Sequence, residues 1–125
     1  MSTPPAIAEQ PMFLSDEVFE LLVRKIPAAV LEEVPPSLFP EAIGTTRERF
    51  EEIVTLLGAD GRTQGLVGRE TAGYLRQALG MALLECSPAE FQGRFGADQE
   101  DARVLMQQIS ARIGAGSASS GDLAQ

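Results

Sequence analysis

Cys86 is the one thiol in a chain of 125 residues that contains no histidine and no tryptophan. Histidine is the side chain best matched to proton transfer near neutral pH, and it is the commonest metal ligand. Without it Cys86 has no imidazole base to activate it, and it reads as a small buried residue near a helix end. Zinc, haem and iron–sulfur centres lose almost all of their usual ligands. What remains are carboxylates, with adjacent pairs at Glu32-Glu33, Glu51-Glu52 and Glu100-Asp101. Neighbours on a helix point about 100° apart, so such pairs do not converge on one site. Glu48 does share a helix face with Glu51 and Glu52, but that face lies opposite an apolar stripe and meets solvent. A di-metal carboxylate bundle needs Glu-x-x-His pairs, which this composition forbids. The expectation is a non-enzymatic protein with no catalytic residue, no cofactor and no metal site.

Two stretches carry a resemblance to known binding motifs, and each departs where the chemistry lies. Asp60 to Thr71 resembles the calcium loop of an EF-hand, with Gly65 at its sixth position and Val67 at its eighth. Arg62 and Gln64 then occupy the third and fifth positions, and Thr71 stands twelfth, where a bidentate glutamate belongs. Glu70 misses by one residue, so no calcium is expected. The same loop lacks the Gly-Lys-Ser/Thr ending of a phosphate cradle, although Gly61, Gly65, Gly68, Arg62 and Arg69 lie in or beside it. Residues 87–113 resemble a DNA-reading helix-turn-helix: a short helix, Gly96 at the turn, and a longer second helix. Its first helix carries Gln92 at a position that is normally small. The second helix opens on Asp98, Glu100 and Asp101, which would face phosphates and base edges.

The formal net charge is −8. An acidic surface repels phosphate backbones, which makes nucleic acid an unlikely partner and suits a basic protein better. The longest nearly unbroken apolar stretch, Ala78 to Leu84, falls far short of the ~20 residues a membrane span requires. Residues 1–10 carry no basic region followed by an apolar run, so no secretory leader is expected. A single cysteine allows no intrachain disulfide, and the expected setting is the reducing cytoplasm.

The elements that position these residues read as helices. Hydrophobic residues make up 44% and charged residues 22%, the balance of a chain able to form one core. Ser15 precedes Asp16 and Glu17 as a helix start, and Pro27 is expected to end or kink that helix. Thr45 with Glu48 forms a capping box, followed by Phe50, Ile53, Val54 and Leu57 on one face and Gly58 as a stop. Residues 69–86 are apolar nearly all round, with Gly73 and Gly80 on one side where close packing is expected. Ser87-Pro88-Ala89-Glu90 starts a short helix, and Asp98 caps the last one. No strand of useful length is visible.

The fold class is therefore all-α: an irregular bundle of five to seven helices with a largely apolar central helix near 69–86. A flexible N-terminal arm is read over 1–12, one helical domain over 13–113, and a flexible Gly/Ser/Ala tail over 114–125. The functional expectation is a small acidic protein-interaction module: an adaptor, subunit, assembly factor or inhibitor of a basic partner. A transcription-related protein using 87–113 is the alternative. The candidate interface, for a partner or a homodimer seam, is Tyr74, Leu75, Leu79, Met81 and Leu83.

Overall fold

The computed structural model describes the backbone of residues 12–121 and the side chains of residues 12–113. Among the described residues there are six helices and one two-stranded ribbon. Helix α1 begins as Asp16–Phe19, passes through a π-helical segment Glu20–Lys25 and continues as Ile26–Glu33. A 3₁₀ turn Pro36–Leu38 leads into α2, Phe39–Ala42. Then come α3 (Arg47–Leu57), a 3₁₀ turn Ala59–Gly61, α4 (Arg69–Glu85), α5 (Pro88–Phe95) and α6 (Gln99–Gly121).

Of the two outcomes expected at Pro27, an end or a kink, the helix does not end, and its bonding register changes just before the proline. It sits in the first turn of the α-helical stretch that follows the π segment. A proline cannot donate to the carbonyl four residues back, and its ring clashes there. The wider π turn shifts the bonding register just before it, and every residue at the two junctions stays helical. The result is one long helix that buries Phe19, Leu22 and Ile26 in the core.

Three further differences are local. Helix α3 is capped by Thr46, not Thr45: its hydroxyl accepts from the Arg49 N–H at 3.1 Å. Gly44, at φ +107°, and Thr45 belong to the turn that leaves α2, so the helix starts one residue later. The ribbon pairs β1 (Met12–Leu14) with β2 (Gly65–Val67), antiparallel, with Phe13 opposite Leu66. Three residues are too few to register as alternation, yet the alternation is there: Leu14 and Val67 are buried while Phe13 and Leu66 are 54% and 61% exposed. Helix α6 continues past Ile113 to Gly121 as backbone, because a helix already formed extends more cheaply than one starts. Of the arm read at 1–12, only Met12 is described, as the first residue of β1. Residues 1–11 and 122–125 lie outside the described residues.

Helix α4 is the central element, packed against α6 and the second half of α1. Its Ala72, Leu75, Ala78, Leu79 and Ala82 are buried, and the core beside it holds Phe39, Phe50 and Phe91. Gly73 and Gly80 face α6, but no backbone approaches them. A methyl group at Gly80 would lie 3.5 Å from Met106 Sδ and one at Gly73 3.9 Å from Ile113 Cδ1, both ordinary contacts. Close packing does not require these glycines. Gly80→Ala is expected to raise stability by up to about 1 kcal/mol through helix propensity, read as a higher urea midpoint at unchanged slope.

The loop after α3 is held from α1. Arg24 donates from Nη2 to the Gly58 carbonyl at 3.3 Å and to the Arg62 carbonyl at 2.6 Å. Its guanidinium lies over the Phe19 ring at 5.4 Å and pairs with Glu20 at 3.5 Å. A neighbouring cation thus sits among the carbonyls of the loop that resembled a calcium site. Arg24→Met is expected to cost about 1 kcal/mol, since the side chain is partly solvated, and to speed amide exchange near residues 58–62. Unchanged exchange there would show that the loop holds itself.

Candidate functional site

Helices α5 and α6 form a tight corner. Ser87 Oγ accepts from the Glu90 N–H at 3.2 Å, and Glu90 Oε1 accepts from the Ser87 N–H at 2.9 Å, closing the expected capping box. Gly96 turns the chain in the left-handed region at φ 69°, and Lys25 from α1 donates to the Phe95 carbonyl at 3.2 Å. Phe91 and Phe95 pack edge-on with centroids 4.9 Å apart, and Ala102 is buried at the start of α6. Asp98 Oδ1 accepts from the Glu100 N–H at 3.5 Å, the cap expected of it. Asp98, Glu100 and Asp101 are all exposed. The short helix, the turn at Gly96 and the longer helix read from the sequence are therefore present, and the second helix opens on a negative surface.

On one side of this corner lies a groove of about 860 Å³ between the first turns of α1 and the α5–α6 turn. Its floor is apolar: Leu21, Phe95 and Ala102 are buried lining residues, and Val18 and Leu105 are half-buried ones. Its rim is acidic, with Asp16, Glu17 and Glu20 from α1, Asp98 just before α6 and Asp101 from its first turn. Among the described residues Lys25 is the only basic side chain lining it. Glu20 leans towards Arg24, whereas Asp16, Glu17 and Asp101 make no ion pair among the described residues. Two helix N-termini supply only about half a positive charge each, well short of neutralising five carboxylates. In sequence, Asp16 and Glu17 read as part of a helix start and Asp98 as a cap. Their convergence needed the tertiary fold.

On the other side of α5 is a smaller cavity of about 170 Å³, lined by Val30, Val34, Leu38, Met81 and Phe95 among others. Cys86 lies in its wall, buried at the C-terminal end of α4. Arg94 Nη1 lies 3.8 Å from Cys86 Sγ, and its guanidinium is paired with Glu33 and stacked over Phe95 at 5.3 Å. The Glu33 carboxylate holds Arg94 more firmly protonated than a free arginine. Gln99, the one buried polar residue among those described, donates to the Cys86 carbonyl at 2.9 Å and accepts from Arg103 at 3.1 Å.

The residues singled out on α4 do not form one patch. Leu75 and Leu79 are core residues with no surface to offer a second chain. Leu83 is half-buried against the core, and Met81 lines the small cavity. Tyr74 is half-buried and donates to Glu70 Oε2 at 2.9 Å. The most exposed large apolar side chain among the described residues is Leu84, at 89%, which lies in the apolar stretch but outside the candidate interface. Among the described residues no three His, Cys, Asp or Glu side chains gather as a metal site. No helix there is long and apolar enough to cross a membrane.

No protein-family model, curated protein or solved structure matches the chain.

Tyr74 is the only tyrosine in a chain without tryptophan, so its ionisation can be followed alone. Its hydrogen bond to Glu70, then burial, then the Glu70 charge raise its pKa above the usual 10.0, against weaker opposing effects of Thr45 and Arg49. The raised value means that the neutral phenol is favoured in the folded state. The associated stability is fully present below pH 10 and is lost as pH rises through the folded pKa. The phenolate absorbance of the native protein is expected to have its midpoint above 10, and Glu70→Ala should lower it. A midpoint that ignores Glu70 would rule the interaction out.

Proposed function

We propose that this chain is a small acidic interaction module that acts by holding a basic protein partner, as an adaptor, subunit, assembly factor or inhibitor. The observation that carries the reading is the groove between α1 and the α5–α6 corner, where five carboxylates and one lysine surround an apolar floor. Apolar lining gives a partner surface to bury, and one sign of charge on the rim steers an oppositely charged partner and rejects others. A formal charge of −8 on each copy disfavours a second copy of this chain as the occupant of this acidic groove. Nucleic acid fits poorly for the same reason, since Asp98 and Asp101 stand where the second helix would meet phosphate.

Affinity capture of the full chain from its native cell tests the reading. The expected result is a stoichiometric protein partner with an isoelectric point well above neutral, eluted by salt. Recovery of no stoichiometric partner, or only of acidic ones, would overturn it.

A further inference from the structure

Resting on that reading, we infer that the groove takes a short amphipathic helix of the partner, apolar on one stripe and basic on both flanks of it. The charges stand on two rims: Asp16, Glu17 and Glu20 on α1, and Asp98 and Asp101 at the start of α6. The apolar lining lies with Leu21, Phe95 and Ala102 at the bottom and Val18, Val104 and Leu105 higher up. A ligand that satisfies both rims and the floor presents a central apolar row with cations on either side of it. A helix does so with apolar residues at i, i+3, i+4 and i+7 and Lys or Arg on both sides of that stripe.

An extended strand fits less well on two counts. It turns alternate side chains away from the groove. It also binds by main-chain pairing, and apart from the short turn at Gly96–Asp98 the walls of this groove are helices whose interior backbone groups are already bonded within themselves. The length is set along α6, where the lining residues run from Asp98, just before the helix, to Gln108. At the rise of an α-helix that is roughly 15 Å, matching about three turns of a docked helix.

The probe is a fluorescein-labelled peptide of about fourteen leucines and lysines in helical amphipathic order. A scrambled peptide of the same composition is the control, and both are titrated into the full-length protein by fluorescence anisotropy. The proposal expects the ordered peptide to bind and the scrambled one to bind about tenfold more weakly or worse. Binding should weaken by a similar factor between about 50 mM and about 500 mM salt. The neutralising double variant Glu17→Gln/Asp101→Asn should lose about tenfold, and Val104→Asp should also lose affinity. Glu32→Lys, on an exposed part of α1 outside the groove, should change it little. Circular dichroism of each variant confirms that the helices are intact.

Equal losses from Glu32→Lys and the groove variants would mean attraction by overall charge alone, and the proposal falls. Equal binding of the scrambled peptide, or no binding of the ordered one, overturns it as well. A captured basic partner retained equally by Glu17→Gln/Asp101→Asn would remove the groove from the account while leaving the interaction reading in place. An absence of any captured partner would remove that reading itself.

Discussion

Two neighbouring cations in the π-helical part of α1 tie the fold together. Arg24 and Lys25 each donate to backbone carbonyls at the C-terminal end of a different helix: Gly58 after α3 and Phe95 at the end of α5. Those are the places where a helix leaves carbonyls unbonded and where its dipole is negative. One short segment therefore fixes both the loop that leads to α4 and the corner that leads to α6. The same segment carries Leu21, Leu22 and Val23 into the core. Its placement follows from Pro27, which requires a break in the ordinary bonding register and receives one without the helix ending.

Helix starts and the central helix were legible because their signals are local. Ser87, Pro88 and Glu90 specify a helix start within four residues, and the capping box they imply is formed. The apolar run near 69–86 forms α4, the central helix, with boundaries close to those read from its composition. The features that escaped are non-local or too short. Nothing near Arg24 in sequence names Gly58 or Arg62 as its partners. Strands β1 and β2 are each too brief to show a period, and they exist as a pair or not at all. Tyr74, Leu75, Leu79, Met81 and Leu83 illustrate a related limit. Composition marks a helix as apolar all round, but only the neighbours decide which of its sides is covered.

The groove gathers charge in a way that local reasoning understates. Acids in the first turns of α1 and α6 each favour their own helix, which is sufficient reason for them to be there. Because both helices begin beside the same apolar floor, those separate local preferences add up to one negative field. Cys86, on the far side of α5, has the opposite character: it is a buried thiol whose neighbouring guanidinium is already engaged by Glu33.

The ribbon bears on the order in which the chain is assembled. Its register joins Met12 to Val67, with α1, α2 and α3 all inside the span that it closes. Closing so long a span has an entropic cost that grows with the logarithm of its length, and three paired residues return little against it. Helix contacts between near neighbours, such as those across the α5–α6 corner, close far shorter spans. On that argument the ribbon is expected to pair late, once the helical core has brought its two strands together. In the folded chain it ties Met12–Leu14 to the segment just before α4, and its three paired residues are expected to open before the helical core does.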